Sequence, residues 1–216
     1  MGRKKCQVIQ FGLIEYNNAY SIQKGLVAKR IRGGVPDTLI LLEHEHVITV
    51  GRGGSLSNVI ISEDERLKEK IALFKINRGG DVTYHGPGQI VGYPILDLNG
   101  YGRDIHKFLR LLEEVIIKVL AGYGLKALRL RGLTGVWVGR KKIASIGVGV
   151  RKWVSFHGFS LNVAPDMRYF SFINPCGLGD GKMTSMKELL LCDLPLEDVQ
   201  EKVIKNFSEV FNVKFV

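Results

Sequence analysis

Cys176 stands between Pro175 and Gly177, a setting that puts a thiol on a stiff, open turn where its sulfur can meet a substrate. A thiol is already a few per cent ionised at neutral pH and needs only modest help to act as a nucleophile. Cys6 and Cys192 have duller settings, the latter after a run of leucines. No CxxC spacing joins the three cysteines, so they read as free thiols rather than a disulfide framework. Help for Cys176 could come from Lys142, which begins the otherwise apolar run Lys142-Ile143-Ala144-Ser145-Ile146-Gly147. If that run is a strand, alternation puts Ala144 and Ile146 on the lysine's side. An amine drawn against such a face is desolvated, which lowers its pKa and suits it to act as a base, and Arg140 and Lys141 would push the same way. A lysine that snorkels at a hairpin tip is the commoner fate of an isolated one.

Two further segments carry polar groups at suggestive spacing. Residues 78–89 hold four glycines and a proline around Arg78, Gly79, Gly80, Thr83, Tyr84, His85 and Gly86. Backbone N–H groups freed by such turns could cradle an anion or a polarised carbonyl, with Arg78 and His85 as added donors. By composition alone the segment is a glycine-rich turn between strands, and neither GK[ST] nor GxGxxG occurs in it. In the run 153–163, alternation groups Trp153, Ser155 and His157 on one face, against Val154, Phe156 and Gly158 on the other. His157 fits a site or a hydrogen-bonded core equally. His44 and His46, two apart on a strand, would share a face in a spacing that zinc can use, but no second pair accompanies them and no metal is expected.

Several elements must position these groups. Residues 7–14, 38–42, 47–50, 72–76, 90–96, 125–130, 134–138, 143–150 and 153–163 read as strands. Helical spacing runs through 16–32, where Ile22, Leu26, Val27 and Ile31 share a side. Ser62 and Glu65 form a capping box for a short helix to Lys70. Asp104 opens the clearest helix, striped by Ile105, Phe108, Leu109, Leu112, Ile116, Val119 and Leu120 and stopped at Gly122. A last helix spans 196–211 with Val199, Val203, Phe207 and Val210 inward. Strands cluster rather than alternate with helices, which predicts an α+β fold: a mixed, largely antiparallel sheet with helices packed on it. The chain fits one domain, 1–216, with a composition shift after about residue 165.

Composition excludes more than it selects. Of the 216 residues 45% are hydrophobic and 24% charged, and no apolar run could span a bilayer or act as a secretory signal. The chain begins Met-Gly, but Cys6 stands where myristoylation wants Ser or Thr. A cytoplasmic location is expected. The net charge of +10 suits nucleic acid, an anionic membrane or acidic proteins, but no nucleic-acid-binding motif accompanies it.

The run RGGDVTYHGPGQIVGYPILDL at 78–98, KIASIGVGVRKWVSFHGFSLNV at 142–163 and INPCGL at 173–178 together resemble the lipoyl(octanoyl) transferase family, in order and across most of the chain. LLEHEHVITVGR at 41–52 and MTSM at 183–186 extend the likeness. Two departures are Glu45-His46 in place of a common Pro-Pro pair, and Asn174 where an apolar residue is usual. The resemblance implies the biotin/lipoate protein ligase fold and a two-step transfer without a cofactor. Cys176 would take the acyl group from octanoyl-acyl carrier protein, with Lys142 as acid/base partner. A lysine of a lipoyl domain of the 2-oxoacid dehydrogenases, or of the glycine-cleavage H protein, would then receive it. Thr83, His85 and the glycines around them would shape the acyl site, with Arg78, Tyr84, Ser145, Ile146, Gly147, His157 and Gly158 also in contact with substrate. No nucleic acid or membrane partner is implied, and a monomer is expected because a carrier protein must reach the site from outside. The alternatives are an ATP-dependent lipoate–protein ligase and a non-catalytic basic binding module.

Overall fold

The computed structural model describes residues 2–174 and 182–216. β1 (Lys4–Ile14) leads into α1 (Tyr16–Ile31), whose crossover lets β2 (Asp37–His44) return parallel to β1. β3 (Val47–Val50), α2 (Glu63–Lys68), β4 (Ala72–Lys75), β5 (Val82–His85) and β6 (Gln89–Ile95) follow. After α3 (Ile105–Ala121) come β7 (Ala127–Leu128), β8 (Val136–Val138), β9 (Lys141–Arg151) and β10 (Val154–Asn162). α4 (Met186–Leu190), α5 (Leu196–Phe211) and β11 (Val213–Phe215) complete the chain.

Among the described residues the strands form two sheets, where the periodicity suggested one. Eight are ordered β11-β1-β2-β6-β10-β9-β8-β7, with β1 parallel to both neighbours and every other pair antiparallel. The second sheet is β4-β3-β5, in which β3 runs parallel to β4 and antiparallel to β5. β5 lies within the glycine-rich segment: Val82, Tyr84 and their partners on β3 are buried, so four residues pair although glycines crowd both ends. The expected strand at 125–130 contracts to Ala127–Leu128, and β11 is too short to stand out from the end of the preceding helix.

Helices cover the large sheet on both faces. Asp104 caps α3 by accepting from Lys107 N–H at 2.9 Å, and Phe108, Leu112, Ile116, Val119 and Leu120 bury against the sheet. α5 lies beside α3; Phe211 meets Phe108 edge-on and stacks on Phe207, so the C-terminal residues share the principal core. The other face takes α1. Its fully buried stripe is Tyr16, Ala19, Gln23 and Val27, while Ile22, Leu26 and Ile31 lie half-buried at the margins. A polar residue occupies the middle of that stripe because Gln23 has a backbone partner waiting beneath it. No helix among the described residues is long and apolar enough to cross a membrane.

Candidate active site

A cavity of about 350 Å³ opens where β6, β9 and β10 of the large sheet meet the chain around β5 of the small one. It falls at the small end of the range typical of ligand pockets, roughly 300–1,000 Å³. Arg78 anchors it. Its guanidinium is nearly buried and grips β3, Nη2 donating to Thr49 O at 2.7 Å and Nε to Thr49 Oγ1 at 3.3 Å. Gly147 faces this clamp: a Cβ there would lie 2.7 Å from Gly79 O and 3.1 Å from Arg78 Cδ, so the close approach of β9 demands a glycine.

Two histidines, His85 and His157, line the cavity and a third, His44, packs behind His85, each held neutral. Burial drives His44 down to about 4 and His85 and His157 to about 3, with the positive field of Arg78 adding to the shift for the latter two. His44 donates from Nδ1 to Ile14 O at 2.9 Å and accepts at Nε2 from the Tyr93 hydroxyl at 2.6 Å, leaving no lone pair free for a metal. His85 Nδ1 lies 3.1 Å from Gln89 Oε1, while that amide's nitrogen donates to Tyr84 O. Nδ1 of His85 therefore carries the proton and Nε2 the lone pair.

His157 departs from the alternation expected of its strand. It adopts a left-handed backbone, φ 55°, while its N–H donates to Gln23 Oε1 at 2.8 Å. That conformation breaks the two-residue repeat and turns the ring to the α1 face, where it stacks on Tyr20 at 5.4 Å and bonds Asn77 Oδ1 at 2.9 Å. His44 and His46 also part company. His46 lies beyond the end of β2, stacked on Tyr169 at 4.3 Å and bonded through Nδ1 to the Tyr84 hydroxyl at 2.7 Å.

Lys142 opens into the cavity at the start of β9, its ammonium 5.3 Å from the centre of the Trp137 ring. Burial first, then the charge of Arg78, brings its pKa down to about 8, while Glu113 pulls the other way. Arg140 and Lys141, expected to contribute, are exposed; the cation that acts comes from elsewhere in the chain. Lys142 N–H donates to Lys182 O at 3.0 Å and its carbonyl accepts from Thr184 N–H at 2.9 Å.

Cys176 lies outside the described residues. On either side of 175–181, Ile173 and Met183 line the cavity. Of the other cysteines, burial pushes the Cys6 thiol up to about 12, and Cys192 is exposed away from the cavity. Arg78, Gly80, Thr83, His85, Lys142, Ser145, Ile146, Gly147, His157 and Gly158 all line the cavity. Gly79, Tyr84 and Gly86 do not. Tyr84 alternates away from His85's neighbour Thr83, fully buried and stacked on Tyr169 at 5.1 Å, and Gly86 lies against its hydroxyl. Gly79 backs the wall, its N–H donating to Val148 O at 2.9 Å.

Over residues 15–208 the chain matches the lipoyl protein ligase A/B catalytic domain. An octanoyltransferase of Solibacter usitatus is 48% identical over 213 residues, spanning 99% of this chain and 96% of that one. The chain belongs to the octanoyltransferase family. Solved structures agree on the fold of the family. A bi-partite lipoate protein ligase from Thermoplasma acidophilum superposes with a TM-score of 0.76 at 18% identity, covering 100% of this chain and 86% of that one. Biotin protein ligase from Aquifex aeolicus, in complex with biotin and ATP, gives 0.57 at 14% identity over 95% of this chain and 70% of that one. For an octanoyltransferase-family cavity, the lining residues that no motif announced include Tyr16, Thr134, Trp137 and Phe170, and Tyr93 lies in a motif but was not singled out. Tyr16 merely opens a helix and Tyr93 sits in an apolar strand, so only the convergence of segments distant in sequence distinguishes them.

Proposed function

We propose that this acyltransferase carries an octanoyl group from acyl carrier protein to a lysine of a lipoyl domain through an S-octanoyl-Cys176 intermediate. The observation that carries the reading is Lys142, a desolvated amine with a pKa near 8 on the wall of a cavity that Ile173 and Met183 also line. The uncharged amine takes the proton of the Cys176 thiol, and the thiolate attacks the thioester carbonyl. The carrier's thiolate leaves and receives that proton from Lys142. The acceptor's lysine amine then attacks the new thioester, Lys142 removes its surplus proton, and the Cys176 sulfur departs to leave an amide. Thioester to amide is downhill, so the sequence of steps needs no ATP.

Val91, Ile146, Phe159, Phe170, Ile173 and Met183 supply apolar wall for the chain. Burying about seven apolar carbons is worth on the order of 5–6 kcal/mol. A single methylene more or less then shifts affinity only ~4-fold, so sharper selection depends on how the cavity closes. The net charge of +10 suits acidic protein partners, steering them to the site. The Thermoplasma ligase was studied with its E2 lipoyl domain, which supports the same class of acceptor here.

The test is intact mass after incubation with octanoyl-acyl carrier protein. A gain of one octanoyl group is expected, released by hydroxylamine and absent from Cys176→Ser. Transfer that requires ATP and survives Cys176→Ser would instead mark an adenylate-forming ligase.

A further inference from the structure

Glu113 lies on α3, outside the cavity, with its side chain fully buried. A carboxylate survives there only if its oxygens find partners. Oε2 accepts from Arg110 Nη1 at 2.6 Å and from Arg129 Nε at 3.0 Å, and Oε1 accepts from the backbone N–H of Gly135 at 3.1 Å. One side chain thus ties both ends of the segment 129–135 to α3, and between those ends Gly132, Leu133 and Thr134 line the cavity. Gly135 in turn closes on the lysine. Its φ is 138°, and a Cβ there would lie 2.7 Å from Lys142 Cε and from Ala144 O. The placement of the segment and that of the amine are one packing arrangement.

Among the described residues the charges around Lys142 are few. Arg78 comes from the chain before β5, Glu113 from α3, where Arg110 and Arg129 pair with it, and Asp81 lines the same cavity and acts on Arg78. Lys141 and Lys182 beside it are exposed, and His85 and His157, both neutral, line the same cavity. Trp137 contributes a ring and no charge. Among the described residues Glu113 is the anion that opposes the pull of Arg78 on Lys142, and its own charge is divided between two arginines that reach solvent.

Resting on the acyl-transfer reading above, we propose that Glu113 is a positioning residue for Lys142. Through Gly135 it holds the wall against the amine, and its shared charge sets how readily the amine gives up and regains a proton. The two effects separate experimentally. Glu113→Gln keeps an acceptor for Gly135 N–H but removes the anion, so Lys142 should lose its proton at lower pH. Arg129→Gln leaves Glu113 less neutralised, so the proton should be held to higher pH. A purely structural role has no reason to shift the two variants in opposite directions.

Competitive labelling of Lys142 with acetic anhydride across pH, read by peptide mass on the free protein, reports its protonation without any substrate. The expected result is a midpoint near 8 in the unaltered protein, moved down by about half a pH unit in Glu113→Gln and up by a similar amount in Arg129→Gln. The rising limb of octanoyl transfer should move in step. Midpoints that stay put, or move together, overturn the inference. If Glu113→Gln does not fold, Arg129→Gln decides alone: an upward shift supports it and no shift defeats it. An unaltered protein that transfers no octanoyl group would sink the acyl-transfer reading, while the labelling would still judge Glu113.

Discussion

An amine that must accept a proton at neutral pH has to be uncharged for part of the time, and removing water from around it is the simplest way to arrange that. At Lys142 this has a thermodynamic consequence. The folded chain releases the proton near pH 8, whereas the unfolded chain holds it to about 10.5. Between those values the unfolded state binds more protons, so stability rises with pH across that window; below it the folded state bears the full penalty of a charged amine out of water. Lys142→Met keeps the length and removes the charge. At pH 7 it should stabilise the protein by about 1–3 kcal/mol while lowering turnover on the order of 10²-fold or more. Thermal unfolding and single-turnover acylation of the same sample check both halves. A lower melting temperature, or turnover retained, would contradict the role assigned to the lysine. At this scale Lys142, at the head of an apolar run, stood out in the sequence as a lysine open to desolvation, and its lowered pKa agrees. That Arg78 rather than Arg140 or Lys141 acts on Lys142 was not legible there, because the relevant neighbour lies 64 residues away in the chain.

At the scale of elements, the site depends on how closely β6 and β10 approach. They pair antiparallel with Phe159 opposite Gly92, and a Cβ on Gly158 would lie 2.0 Å from Gly92 O and 2.6 Å from Pro94 Cδ. Neither is the free end of a flexible side chain, so the strands would have to part. Gly158→Ala should cost about 3 kcal/mol or more in urea unfolding. Gly12→Ala on β1, where a Cβ meets nothing within 4 Å, should be neutral or slightly stabilising. Equal midpoints for the two variants would show that the strands can yield. The long amphipathic helices α3 and α5 were readable because many residues repeat one pattern. β5 was not, since four residues between glycine pairs carry too short a period to separate a strand from a turn. His157 misled for a related reason: alternation holds only while every residue keeps an extended backbone, and Gln23, on a helix far away in sequence, supports the left-handed exception.

At the scale of the whole molecule, three buried neutral imidazoles on different strands tie the fold to pH. In the unfolded chain each gains a proton near 6.5, whereas folded His44 resists to about 4 and His85 and His157 to about 3. The unfolded state therefore binds more protons over that range. The stability these residues contribute is whole above pH 6.5 and is lost as pH falls through the window toward 3–4. Near pH 5 the three together should give a slope on the order of 4 kcal/mol per pH unit. Urea midpoints measured from pH 7 to 4.5 test this, and His44→Gln should reduce the slope by about a third. A flat profile would mean that the rings are not buried as described.

The order of motifs, the α+β class and the principal helices followed from the chain itself, because each depends on local sequence and periodicity. Partnership did not. Which strands face which, why His157 turns toward α1, how Glu113 reaches Gly135 and why Lys142 is short of water all depend on groups distant in sequence meeting at one cavity. Desolvation and charge are properties of that meeting, so only the folded chain could assign them.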